Sequence, residues 1–447
     1  MGRSSNISKT QKKLPTRLET ILFYLLLFTV PTNLSLNLFK NTASVSGILI
    51  DYLIPKLYLS DIIAVLLLLA WFTRLNWRGL TAKIASAKPL DSPLFVTAFA
   101  LTATLILSAS AAPHPLSAHW YLLKVLEMIL LTTWVANFGH LDLTKPLSAT
   151  LIFQSIVALI QWVQKKSLLG YLFLGETTLR SSAQIAKTGI TGELRPLPYG
   201  TTPHPNVLAG TIIVFILIIL SRQITPLLSF LHLLTLQASP LKAASKYLKT
   251  ALAFSLTLAI ITLLLTQSVG AVFALAVCLA LLYGNNLPAK FRSLPALALL
   301  VLALAAIPFI SKESISRRTQ LAQISLGIIA HQPILGAGPN NFTAVMGRYG
   351  DVPGTTRFIQ PVHNIYLLVA SEIGLVASAL IILLLYQLKS RLSRISLKQA
   401  APLIALLLIG LLDHYPISLQ TGQLLLALTT GLALNQSLPF THHSHGS

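Results

Sequence analysis

The chain has 447 residues, of which 54% are hydrophobic and only 10% charged, with a formal net charge of +21. A soluble globular domain carries roughly 25% charged residues, so that class is excluded, and with it a soluble nucleic-acid binder. One cysteine, Cys278, excludes an internal disulfide framework and a cysteine-based metal site.

Runs of about 20 apolar residues read as membrane helices. The fold expected is all-α: a polytopic integral membrane protein of about twelve transmembrane helices. They fall near 20–38, 57–73, 93–111, 118–137, 146–164, 206–221, 250–266, 269–284, 294–310, 364–386, 401–417 and 421–435. The basic N-terminus and the Leu-rich run from Ile21 resemble a signal peptide. No small-residue cleavage site follows, so the run is read as an uncleaved first helix. Spans seven and eight are divided only by the polar turn Thr266-Gln267-Ser268. Residues 227–236 are apolar but short and read as an interfacial helix. The tail THHSHGS reads as a disordered end rather than a metal site. The whole chain, 1–447, is expected to form a single membrane-embedded domain.

Lys and Arg mark the short loops expected to stay in the cytoplasm. Arg3, Lys9, Lys12, Lys13 and Arg17 precede the first span, and Arg74, Arg78, Lys83 and Lys88 follow the second. Arg222 follows the sixth, and Lys389, Arg391, Arg394 and Lys398 follow the tenth. Between spans one and two only Lys40 and Lys56 occur. Both termini are therefore expected inside. The two long loops, 165–205 and 311–362, are expected outside, the second with short helices between spans nine and ten.

The first long loop ends in GELRPLPYGTTPHPNVLAG, whose prolines and Gly200 forbid a regular helix through Pro205. The next span should start at Asn206, a favoured N-cap, holding Arg195 and His204 near a helix N-terminus that favours anions. In the second loop, 314–329 fits a helix lying beside the membrane, with Leu321, Ile324 and Ile328 on one stripe. Arg317 and Arg318 stand near its start, and its end falls before Gln332-Pro333. LGAGPNNF then forms a tight turn expected to expose backbone donors. His363 and Asn364 open the tenth span, with Glu372 and Gly374 deeper inside it. An ionisable residue within a span is a functional or pairing hypothesis by default.

The stretch SRRTQLAQISLGIIAHQPILGAGPNNF followed by HNIYLLVASEIGLVA resembles the hallmark region of the O-antigen ligase and polymerase family. That family shows an arginine helix, then HPLLGVGPGNF, then HNxYLxxLAExGLxG. RPLPYGTTPHPNVLAG resembles its upstream loop motif. The resemblance implies a membrane glycosyltransferase of the GT-C type in the bacterial cytoplasmic membrane, working without metal or other cofactor. It implies a glycan donor carried on undecaprenyl diphosphate and an acceptor that is a glycolipid, a polysaccharide or a protein. Members are lipopolysaccharide ligases, chain polymerases or protein O-oligosaccharyltransferases, and the motif does not choose among them. His363 matches the family's loop histidine, and Arg318 its arginine ahead of the loop helix. Two departures stand out: Val269, where ligases commonly carry arginine, and Ala322, where an aromatic residue is frequent. Arg195 is the expected substitute for the missing arginine.

Such a transfer needs a base for the acceptor hydroxyl, which histidine supplies near neutral pH, and forked cations for the departing diphosphate. The expected catalytic residues are thus His363 and Arg318. Arg195, Arg317, His204, Asn364 and Glu372 are expected to bind substrate, and no metal ligands are assigned. Against this stand plainer roles: His363 as a helix cap, the arginine pair snorkelling to lipid phosphates, and His331 satisfying terminal carbonyls. Asp413-His414 either binds substrate or ends a helix. Asp51, Asp61 and Lys124 take no role. A transporter or flippase of lipid-linked sugars is the alternative class, marked by mid-bilayer charges and repeated broken helices. Here the polar residues gather in the loops instead.

Overall fold

The computed structural model describes residues 14–76, 92–179, 185–189, 194–222, 243–283, 312–350 and 358–435, with backbone only for 243–249 and Lys312. In chain order come α1 (Arg17–Thr29), the strands β1 (Ser35–Asn37), β2 (Ser44–Val45), β3 (Ile48–Leu49) and β4 (Lys56–Tyr58), and α2 (Leu59–Phe72). Next are α3 (Pro93–Ala111), α4 (Pro115–Phe138), α5 (Thr144–Gln164), β5 (Lys187–Thr188), β6 (Arg195–Pro196) and α6 (Pro205–Arg222). The rest are α7 (Ala243–Leu265), α8 (Val269–Tyr283), α9 (Lys312–His331), α10 (Phe342–Val345), α11 (Ile365–Gln387), α12 (Lys389–Leu392), α13 (Leu397–Gly410), α14 (Tyr415–Ser418) and α15 (Gln420–Leu434). The strands form three antiparallel pairs, β1 with β4, β2 with β3 and β5 with β6, all in loops.

Among the described residues, five helices, α3, α4, α5, α6 and α11, are long and apolar enough to cross a membrane, and α2, α7, α8 and α13 contribute shorter apolar runs. The chain is a mostly helical, multi-pass membrane protein. The span expected at 294–310, the interfacial helix at 227–236 and the histidine-rich tail lie outside the described residues. The first expected span is shorter than its apolar run: α1 ends at Thr29, and Pro31, two residues on, has no N–H with which to continue the helix. The eleventh is cut as well, since α13 stops at Gly410 and a separate turn, α14, follows.

At the centre stands α6, whose residues Val207 to Ile219 are buried on every side. It packs against α13, α8, α7 and α15. Lipid tails are as apolar as leucine, so this helix gains nothing by leaving them; close packing and interhelical hydrogen bonds hold it instead.

Loop helix α9 lies along α11 and buries Leu321, Ile324 and Ile328 against Phe342, Val345 and Leu368, the stripe expected from its periodicity. It ends at His331, whose Nδ1 sits 2.8 Å from the Gly327 carbonyl. The following LGAGPNNF turn is tied to a break in α11 at Gly374, where φ is 75° and ψ 173°. The break frees peptide groups, and the turn takes them up. Ala337 N donates to Ser371 O (2.9 Å), Gly338 N to Glu372 O (2.7 Å) and Leu375 N to Pro333 O (2.7 Å). Each peptide group left unpaired in a bilayer costs several kcal/mol, so break and turn stabilise each other. The approach is close: a Cβ on Gly374 would lie 2.3 Å from Ile334 O, and one on Gly336 2.6 Å from Glu372 O. Both positions also have positive φ, so only glycine suits them.

The turn does not present its donors as the sequence suggested. The Glu372 carboxylate takes two of them, Asn340 N at Oε2 and Phe342 N at Oε1, both at 2.9 Å. Tyr52 Oη donates to Oε1 as well, at 3.0 Å. This cage fixes the loop and spends the backbone groups expected to face a ligand.

Candidate functional site

The site is assembled on the short turn between α13 and α14. Three distant side chains grip it: Asn364 Nδ2 donates to Leu411 O (3.1 Å), Arg318 Nη1 donates to Leu412 O, and Asn206 Nδ2 donates to Asp413 Oδ2 (2.9 Å). Asn364 is also the N-cap of α11, its Oδ1 accepting from Tyr366 N and Leu367 N. Asn206, expected as a cap, instead lies one residue inside α6. That leaves its amide for Asp413, while His204 Nδ1 accepts the Asn206 N–H at 3.1 Å.

His363 reaches this turn from the mouth of α11. Its Nδ1 lies 3.7 Å from Asp413 Oδ1, an ion-pair separation longer than a formed hydrogen bond, and its Nε2 lies 3.3 Å from Gln360 Oε1. The rings of His363 and His414 are 5.1 Å apart. Ser418 Oγ donates to the His414 carbonyl and lies 2.6 Å from His414 Nδ1. The hydroxyl has spent its proton, so His414 Nδ1 carries one and Nε2 keeps a lone pair.

Electrostatics bind the group together. Burial alone would raise the Asp413 carboxyl, but His363, His414 and His204 around it hold it far below the ordinary carboxylate range. Burial pushes the His414 imidazole down to about 4; Asp413 opposes the shift, and His363, His204 and Arg318 add to it. His204 feels the charges of Asp413, His363 and Arg318. Asp413 is therefore a fixed anion among histidines. His363, Asp413 and His414 each offer a ligand atom within 4.8 Å of the others, so the set could hold a divalent cation.

Beside the turn opens a cavity of about 320 Å³ lined by Arg318, Asp413, Asn206, Tyr415, Ser314 and the α7–α8 turn Gln267 to Ala271. The start of α8 thus faces it, with the unpaired N–H groups of a helix's first turn. Tyr415 Oη is buried and has no partner among the described residues.

Of the residues expected from sequence, the structure brings together His363, Arg318, His204 and Asn364. Arg317 turns away: it pairs with Glu313 and stacks over the Phe358 ring at 4.7 Å. Arg195, on β6, stacks over Trp162 at 4.8 Å and does not line the cavity. Glu372 sits in its loop cage. The residues that sequence reading did not assign are Asp413, His414, Asn206 and Tyr415. The only signal was an Asp-His pair interrupting an apolar run.

A family model described as O-antigen ligase matches residues 254–382. The match takes in the α7–α8 turn, Arg318, His363 and Glu372. It leaves out Arg195, His204, Asn206 and the Asp413-His414 turn. A search of curated proteins finds none that matches.

Proposed function

The chain belongs to the O-antigen ligase family by its residues 254–382, and on that premise we propose that it moves a glycan from undecaprenyl diphosphate to a cell-surface acceptor. The carrying observation is the convergence of His363, Asp413 and Arg318 beside a cavity wide enough for a diphosphate. The loop end of the bundle then faces outward, with both termini in the cytoplasm of a bacterial inner membrane. The acceptor class proposed is a glycolipid; a growing polysaccharide or a protein hydroxyl would use the same chemistry.

The acceptor oxygen attacks the anomeric carbon of the donor sugar as the bond from that carbon to phosphate oxygen breaks. The acceptor hydroxyl displaces Gln360 Oε1 from His363 Nε2, which takes the hydroxyl proton, and Asp413 beside Nδ1 stabilises the imidazolium that forms. The bonding electrons leave with undecaprenyl diphosphate. Arg318 meets that growing charge with a forked pair of donors, as do the Ser268 hydroxyl and the first-turn N–H groups of α8. Where the family's ligases carry arginine, this chain has Val269 at that helix start, and the peptide N–H groups take over part of its duty. Arg195 and Arg317, outside the cavity, are assigned to the glycan rather than the diphosphate. Glu372 acts by holding the loop.

The test is purified protein in nanodiscs with a lipid-diphosphate oligosaccharide and a glycolipid acceptor, following release of carrier diphosphate. His363→Ala should reduce release by about a hundredfold or more. Arg318→Lys, which keeps the charge and loses the fork, should also impair it. Full activity in both variants overturns the assignment. Movement of the lipid across the bilayer without release would make the protein a transporter.

A further inference from the structure

The chain that leaves α5 at the loop end of the bundle turns its apolar side chains outward. Leu172 is 89% exposed, Val163 76% and Leu169 71%, three of the four most exposed large apolar side chains among the described residues. Scattered exposed leucines are ordinary, but these gather between positions 163 and 172. We propose that residues 167–174 lie in the membrane surface at this end of the bundle, with the Leu169 and Leu172 side chains among the lipid acyl chains. The occupant of this apolar face is thus the bilayer itself, and the proposal stands apart from the transfer reading.

The face continues one that already meets lipid. Val163 stands in the last turn of α5, a helix long and apolar enough to cross the membrane. Ile156, two turns earlier on the same side, is exposed as well. The chain leaves the helix at Lys165, where φ is 56°, so the loop begins at the depth of the helix end. Trp162 marks that depth, as tryptophan gathers where membrane meets water. Lys165 and Lys166 are exposed beside it, placed to meet lipid phosphates while the leucines go deeper.

A loop set against hydrocarbon must satisfy its backbone from within the protein, and a buried carboxylate does much of this. Glu176, with no exposed surface, accepts from Leu168 N (2.6 Å), Leu169 N (2.9 Å) and Gly170 N (2.8 Å). The carbonyls of Gly170, Tyr171, Leu172, Phe173 and Leu174 accept, in that order, from the N–H groups of Phe173, Gly175, Leu174, Glu176 and Asn33. A loop in water needs no such pairing, because solvent supplies the partners. Tyr171 Oη accepts from Ser35 N (3.0 Å) and donates to Ser35 O (2.9 Å), which ties the tip to β1. Gln161 then joins the loop to the turn ahead of α6. Its Nε2 donates to Glu176 Oε1 (2.9 Å) and Gly200 O (2.8 Å), and its Oε1 accepts from Tyr199 N and Gly200 N. One side chain thus links the inserted leucines to the segment that delivers His204.

The experiment reads depth with a polarity-sensitive NBD probe on Leu172→Cys in the full chain. Lys166→Cys and Arg348→Cys serve as comparison sites, and labelled wild type gives the background from the buried Cys278. Each protein is placed in phosphatidylethanolamine–phosphatidylglycerol nanodiscs carrying a nitroxide on the lipid headgroup or near the top of the acyl chain. The probe at position 172 should emit to the blue of the one at 348, and the acyl nitroxide should quench it more than the headgroup nitroxide. At position 166 the order of quenching should reverse. Emission at 172 matching that at 348, without acyl quenching, would place the loop in water and overturn the proposal. Blue emission that neither nitroxide quenches would mean that protein covers the leucines, a second copy or another chain, and would overturn it equally. Transfer is read in a separate assay on His363 and Arg318, so neither result bears on it.

Discussion

Asn206 and Asp413 are 207 residues apart in sequence and meet at 2.9 Å, amide nitrogen to carboxylate oxygen. That bond aims the carboxylate's other oxygen at His363, so the start of α6 determines how the histidine at the mouth of α11 is supported. Asp413→Asn keeps the shape and removes the charge that stabilises the imidazolium. Turnover should fall by about a hundredfold or more, with donor KM little changed. Asn206→Ala keeps the charge and loses its aim, and a charge-assisted hydrogen bond is worth about 1.5–3 kcal/mol, so a loss of roughly tenfold or more is expected. Equal activity in wild type and Asp413→Asn would remove the anion from the mechanism.

Acid should loosen the site before it protonates Asp413. The half-buried His414 imidazole is held down to about 4 from an ordinary 6.5. Between those values the unfolded chain binds a proton that the folded chain refuses. Stability is therefore complete above about 6.5 and falls as pH drops toward 4. The full shift corresponds to about 3 kcal/mol, less whatever solvent reaching the ring screens away. Melting temperatures in nanodiscs at pH 7 and pH 5 check this. The drop should shrink in His414→Gln, and an unchanged drop would assign it to other groups.

Sidedness is testable at residues the structure describes as exposed. Single cysteines at Lys166 and Arg348 should react with an impermeant reagent from outside the cytoplasmic membrane, while one at Arg391 should not. Background from Cys278 stays low because that thiol is buried. Reversed labelling would invert the bundle and place the proposed site in the cytoplasm.

The His363, Asp413 and His414 ligand set gives a further test. Transfer is proposed to need no metal, so a chelator should leave it unchanged. Added zinc, which favours imidazole and carboxylate ligands, should inhibit by occupying the base. His414→Ala should weaken that inhibition by roughly tenfold or more. Loss of activity on chelation, restored by metal, would make the cluster a working metal centre instead.

Local signals carried the sequence reading far. The opening of α11 at His363-Asn364, the Leu321–Ile324–Ile328 stripe and the end of α9 before Pro333 all follow from neighbours within one or two turns, and all are present, whereas the cap expected at Asn206 is not. Long-range relations were hidden. Asp413-His414 could equally have ended a helix, because what makes it a site is contact with Asn206, Asn364 and Arg318, each on another element. Arg195 looked close to a helix N-terminus by count, yet the β5–β6 pairing carries it onto Trp162. The break in α11 was also invisible as such: Ser371-Glu372 interrupt the apolar run without a proline or a loop signal, and only the pairing with 333–338 shows why the chain departs from helix at Gly374.

That pairing makes the two parts of α11 unequal toward insertions and deletions. The stretch from Ile365 to Ile373 is registered at one end by Asn364 on Leu411 and at the other by the turn that fills the break. One added residue there would swing His363 about 100° around the helix axis relative to Glu372. The same addition beyond Leu375 leaves that register intact and turns only the segment that packs on α3 and leads to Lys389. Length changes should therefore cost transfer less after Gly374 than before it.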